Sequence, residues 1–205
     1  MFIVKIVSLR SFVLCLVASA LLASISQAQA PSEIPVFEII PVSSTIQFDV
    51  EASVAIKGTF EKWDATLTFT STDVTTTVLD IKIQADSVDT GSGMKNRKLR
   101  GKDFFNTKQN PLITFKSTKI VQTGTDDFEA DGDFTIRGVT KPEKLNVTVS
   151  AAGTGSGAIK GTMAFDRKQY GMNSGIPFIR IADRVEVTVD LKARRVSGPP
   201  VDLKQ

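Results

Sequence analysis

The side chains most often used for acid–base, nucleophilic and metal chemistry are nearly absent from this 205-residue chain. There is no histidine, and the single cysteine is Cys15. Lack of imidazole excludes Ser-His-Asp and Cys-His machinery, histidine-ligated zinc and histidine-ligated haem. Carboxylates remain, but Asp126 and Asp127 read as turn residues, and no pair is spaced for acid–base work. No catalytic residue, metal ligand or cofactor is therefore assigned. A run of cations, Lys95, Arg97, Lys98, Arg100 and Lys102, either meets phosphate or forms a solvated helix face. Asn146-Val147-Thr148 matches a glycosylation acceptor, but it falls mid-strand and is read as chance.

The N-terminus reads as an address. Lys5 and Arg10 form a basic region ahead of the apolar stretch Ser11–Ala23, which is too short to span a bilayer comfortably. Small residues follow, so cleavage is expected after Ala28 or after Ala30. Pro31 would hinder the second cut through its fixed φ and missing N–H, which makes residues 1–28 the expected signal peptide. Bulky Phe12-Val13-Leu14 ahead of Cys15 does not fit a lipoprotein site. Cleavage would leave a periplasmic or secreted protein without thiols, not stably inserted in a membrane, and held together by its core alone. It would carry 23 basic residues (25 less Lys5 and Arg10) against 22 acidic ones, a net +1. So near-neutral a total gives no overall electrostatic case for nucleic acid or for strong adhesion to anionic headgroups.

The elements that must position any site are strands. Apolar residues alternate with polar ones in Ile46–Glu51, around Leu67 and Phe69, in Leu79–Gln84, Asp133–Arg137, Leu145–Ser150, Ile159–Asp166 and Val185–Lys192. This period of two, with one wet face, means antiparallel sheet. Turn chemistry separates the runs at Gly124–Asp127, Gly138–Pro142 and Gly153–Gly157. About eight meandering strands are expected, closed into a barrel that leaves no free edge. Ser92–Phe105 breaks the alternation and predicts a short, irregular helix whose Met94, Leu99 and Phe104-Phe105 pair cover one barrel mouth. The expected architecture is all-β: one domain over residues 36–196, preceded by the loose stretch 31–35 and followed by a loose C-terminal tail at 197–205.

Several stretches resemble the YceI-like family of exported lipid-binding proteins. They are Gly132-Asp133-Phe134-Thr135-Ile136-Arg137-Gly138-Val139-Thr140-Lys141-Pro142, Asp103-Phe104-Phe105 with Pro111-x-x-Thr114-Phe115, Arg167-x-x-Tyr170-Gly171, and Val185-x-Val187-x-Val189-x-Leu191. Their order and spacing agree over roughly Phe37 to Ala193. The resemblance implies an eight-stranded antiparallel lipocalin-like β-barrel with an elongated apolar cavity. It also implies, as the partner, a polyisoprenoid or another long-chain amphiphilic lipid. Many members carry histidines around the first long strand; here those neighbourhoods read Val42–Ile46 and Glu51–Ser53, so imidazole contacts to a headgroup are not available.

The wall of such a cavity would be built from the inward positions Phe48, Val50, Leu67, Phe69, Ile81, Ile83, Ile113, Phe115, Phe134, Ile136, Val147, Met163 and Phe165. Each taken singly reads as ordinary core, because every barrel needs inward apolar side chains; taken together with the resemblance they read as a ligand wall, since an eight-strand barrel is just wide enough either to be filled or to hold one ligand. Arg167 and Tyr170 are the candidate polar contacts at a mouth: a guanidinium forks onto phosphate, and a phenol donates to an oxygen. Their competing role is a hydrogen-bonded turn that closes the barrel end. The long connection Gly171–Asp183, with Ile176, Phe178 and Ile179, is either a hydrophobic lid or a packed loop. Three functions stay open: an exported carrier or buffer of lipid, a packed structural or interaction barrel without ligand, and a histidine-free enzyme on the same scaffold.

Overall fold

A computed structural model describes residues 34–53, 55–151, 155–175, 178–201 and 203. The expected signal segment, with Lys5, Arg10, Cys15 and both cleavage sites, lies outside them, as does Ile176. Eleven strands and one helix follow in order: β1 (Val36–Ile39), β2 (Thr45–Ala52), β3 (Ile56–Phe60), β4 (Trp63–Thr68), β5 (Val78–Gln84), β6 (Val88–Asp89), α1 (Gly93–Arg100), β7 (Leu112–Gln122), β8 (Asp127–Ile136), β9 (Val139–Ala151), β10 (Ser156–Asp166) and β11 (Ile181–Ser197). They form one curled antiparallel sheet in the order β4-β5-β7-β8-β9-β10-β11-β2-β3-β6, with β1 on β11.

The fold is thus all-β and barrel-like as expected, but with eleven strands rather than eight. Two long strands are each broken in two, and β1 is added. β4 pairs with β5 while β3 pairs with β6, so the break at Glu61-Lys62 lies opposite the 3-10 turn Ala85–Ser87. The chain repairs its hydrogen bonds across both breaks. Gln84 donates its N–H to Lys62 O at 2.9 Å, and Lys62 donates its own to Ser87 Oγ at 3.0 Å. Alternation was too brief in β1, β3 and β6 to stand out.

The turn between β8 and β9 is tighter than the sequence suggests. Arg137 (φ 55°) and Gly138 (φ 75°) alone make it, a pair of left-handed residues that suits strand twist. A Cβ on Gly138 would lie 2.6 Å from Asn110 Oδ1, so glycine is required twice over. Pro142 does not end a strand; it sits inside β9 opposite Asp133. That is tolerated because β9 bonds β10 only from Asn146 onward, leaving no ladder partner on the proline's other side.

The described parts of the two stretches expected to be loose are packed instead. Pro35 is fully buried, β1 pairs along β11, and Leu203 packs against the core. Apolar side chains there gain more by covering the open barrel end than by remaining in water. α1 forms where the helix was expected and buries Leu99, with Phe104 and Phe105 behind it. Phe105 lies 6.3 Å from Phe48 and 5.9 Å from Phe60, ring to ring, closing that end of the barrel. Met94 departs from the expectation: it is 80% exposed, because the helix turns it away from the core.

Candidate functional site: two apolar cavities and the waist between them

Every strand of the sheet points alternate residues inward, and these residues fall into three levels along the barrel. At the level nearest β1, Leu67, Phe69 and Val147 line a cavity of about 220 Å³. Leu79, Phe128, Ala130 and Ile159 share that wall, as do Phe37, which stacks on Phe69 at 5.4 Å, and Pro200, Val201 and Leu203 of the C-terminal segment. At the opposite level, beneath α1, Phe48, Val50, Ile83, Ile113, Phe134, Ile136, Phe165 and Arg167 line a smaller cavity of about 60 Å³. The remaining inward candidates, Ile81, Phe115 and Met163, line neither and are almost wholly buried.

Strand register explains the division. Along β5 the inward residues run Leu79, Ile81, Ile83: larger cavity, neither, smaller cavity. Along β10 they run Ile159, Met163, Phe165 in the same sense, and Ile81 sits directly across from Phe115. Two inward glycines mark the middle level. A Cβ on Gly132 would lie 2.6 Å from Phe115 Cζ, and one on Gly161 would lie 3.1 Å from Leu145 Cδ1. Both large side chains fill the space that glycine leaves. In place of one elongated cavity, the described residues therefore line an apolar cavity at each end, with a packed waist between.

Arg167 and Tyr170 are not free to meet a headgroup. Arg167 is buried, and its guanidinium donates to carbonyl oxygens of Ala182 (2.9 Å), Ser174 (3.1 Å) and Met172, and to Asp183 Oδ1 at 3.1 Å. It staples the connection between β10 and β11 to the barrel end. All of its fork is used, which is what a buried cation needs. Tyr170 is fully buried, edge-on to Phe134 (5.5 Å) and Phe165 (5.2 Å), and donates its hydroxyl to Glu143 Oε1 at 2.7 Å. Burial, followed by the Glu143 carboxylate, pushes its pKa up, so the phenol stays a donor. The turn-closing role stands for both residues. Phe178 in the same connection is fully exposed at φ 64°, so it packs on nothing described.

Sequence reasoning missed part of the larger cavity. Phe128 and Ala130 continue the alternation of Gly132, Phe134 and Ile136, so that signal was available. Phe37, Pro200, Val201 and Leu203 carry no periodic signal. Thr77 Oγ1, in the mostly apolar wall, is a buried hydroxyl without a hydrogen-bond partner. Among the described residues no group of three or more histidines, cysteines, aspartates or glutamates is placed to hold a metal ion.

A curled all-β sheet with an apolar hollow at each end defines the class: a barrel-like protein built around its interior. The YceI-like domain model matches residues 37–193, and the chain belongs to that family. Among curated relatives, protein YceI of Escherichia coli O17:K52:H18 is 39% identical over 96 residues, 47% of this chain and 50% of that protein. UPF0312 protein ECA1782 of Pectobacterium atrosepticum is 33% identical over the same shares. The chain thus spans about half the length of the curated relatives it matches. Solved structures share the fold. BcnA of Burkholderia cenocepacia superposes with a TM-score of 0.69 at 24% identity, covering 76% of this chain and 99% of that one. A polyisoprenoid binding domain from Saccharophagus degradans, implicated in plant cell wall breakdown, superposes with a TM-score of 0.59 at 15% identity, covering 78% and 99%.

Proposed function

We propose that this protein is exported and binds the chain of a polyisoprenoid or similar long-chain amphiphilic lipid, as a carrier or buffer rather than an enzyme. The 220 Å³ apolar cavity at the β1 end carries this reading. An apolar hollow with so little polar lining gains nothing from water and favours a hydrocarbon. Family membership and the polyisoprenoid binding domain with the same fold support the ligand class. The absence of histidine and the full engagement of Arg167 weigh against catalysis.

The size of the cavity refines the mode of binding. At 220 Å³ it lies below the roughly 300–1,000 Å³ usual for whole small-molecule sites, so it takes part of a long chain. Deeper entry requires the waist to yield. Met163, unbranched and rotatable, is the waist residue best able to move aside.

The test is native mass spectrometry, with lipid extraction, of protein recovered from the exported fraction of its own cells. A stoichiometric amphiphile and an N-terminus at Gln29 or Pro31 are expected. Lipid-free protein, combined with no uptake of a polyisoprenoid offered in detergent, would favour the packed barrel without ligand and defeat the carrier reading.

A further inference from the structure

The near-neutral total charge hides a strong local asymmetry. Residues 93–108, which comprise α1 and the loop behind it, hold Lys95, Arg97, Lys98, Arg100, Lys102 and Lys108 against Asp103 alone, a net +5. From Gln29 onward the chain is +1, so everything outside this segment sums to −4. The nearby carboxylates are already engaged. Asp103 is paired with Lys98 Nζ at 2.6 Å, and Asp89 accepts from Asn96 Nδ2 at 2.9 Å. Arg97, Arg100, Lys102 and Lys108 line one open depression between the helix and the loop, and no carboxylate faces them there.

Apolar tips stand at the same end of the barrel. Met94, on the first turn of α1, is 80% exposed, and Phe178 is fully exposed. Both belong to one rim, because both are tied to the hairpin between β2 and β3. Lys95 donates to Ala55 O at 3.2 Å, and Ser53 exchanges bonds with Arg180, donating its N–H to Arg180 O at 3.0 Å. Leu99, Phe104 and Phe105, on the inner side of the same segment, roof the smaller cavity.

We infer that this rim is a docking face for an anionic bilayer surface. Cations lining a depression suit phosphate headgroups, and exposed Met and Phe tips at the same end suit the acyl boundary just below. A soluble polyanion would use the cations but leave the apolar tips in water. Docking is reversible and peripheral: among the described residues no helix is long and apolar enough to cross a membrane. As a face that brings the barrel to lipid, it rests on the lipid-carrier reading; as a membrane-binding surface, it is tested without it.

The experiment is flotation of the exported protein with vesicles of phosphatidylcholine, with and without phosphatidylglycerol, all variants sharing one N-terminus. Wild type is expected to float with the anionic vesicles at low ionic strength, and not with the neutral ones or at near-molar salt. Arg97→Gln, Lys102→Gln and Lys108→Gln combined should cut vesicle partition about a hundredfold, from roughly fivefold per basic side chain. Met94→Ser alone should lower it several-fold, and all variants should keep the wild-type melting temperature. Equal flotation of wild type and the triple variant, no flotation of wild type with anionic vesicles, or an unaltered Met94→Ser would overturn the inference. Lipid retained by the purified triple variant reports separately on the carrier reading, since none of these side chains lines either cavity.

Discussion

At the level of single residues, the barrel interior is two materials, and mutation should tell them apart. Phe115 is packed against Gly132 and Ile81 at the waist. Phe115→Ala should cost the lipid-free protein about 3–5 kcal/mol, since its surroundings are held by the sheet and cannot collapse. Leu67, on the half-filled wall of the larger cavity, has fewer atoms to lose. Leu67→Ala should cost under about 2 kcal/mol, below the usual range for tightly packed leucine, while lowering lipid retention. Urea unfolding of delipidated protein measures the first quantity and lipid extraction the second. Equal destabilisation at both positions would mean that the β1 end is packed as tightly as the waist. The candidate residues were legible from period two alone, and the division among them was not. Whether Ile81 or Ile83 meets empty space depends on what sits across the barrel, on strands far away in sequence.

At the level of elements, three local sequences decide geometry. The two-residue turn Arg137-Gly138 fixes the β8–β9 register, and Arg167 pins the β10–β11 connection. The segment after β11 returns to cover the larger cavity with Pro200, Val201 and Leu203. Removing residues 198–205 should therefore open that end. Bound lipid should exchange faster, and unfolding free energy should fall by about 1–3 kcal/mol as the burial of Leu203 and its neighbours is lost. Competition with excess free lipid reads the exchange rate. Unchanged exchange would show that the segment is not part of the entrance. No hydrophobic period announces this role, since a covering segment needs only a few apolar side chains at a fitting distance.

At the level of the whole molecule, the charge arrangement predicts a plain pH profile. Asp89, Asp103 and Asp183 are held below the ordinary carboxylate range, chiefly by hydrogen bonds from Asn96, Lys98 and Lys168 respectively. Hydrogen bonds from Lys57 and Lys144 to Asp49 and Glu129 raise those lysines, and burial raises Tyr170. A lowered carboxyl stabilises the fold above its unfolded pKa and stops doing so as pH falls through the folded value. A raised group stabilises below its unfolded pKa and ceases to as pH climbs through the folded one. With no histidine, stability should be level from about pH 6 to pH 8, decline in acid below about pH 4, and decline again above about pH 10. Chemical denaturation midpoints across this range check it. A step near neutrality would reveal a coupled group that the geometry does not show.

The sequence by itself determined the class of fold, the family, the place of the helix and the absence of histidine chemistry. Alternation, turn residues and missing residue types are local properties, and each strand carries its own copy of the signal. Tertiary structure decided the rest. It broke two strands opposite one another, folded Pro35 and Leu203 onto the barrel, placed Arg167 and Tyr170 in structural bonds and parted the interior into two cavities. It also left Met94 and Phe178 exposed at the end of the barrel that carries the cationic segment. Those outcomes depend on which side chains from distant strands reach the same space, and packing settles that only once the sheet has curled.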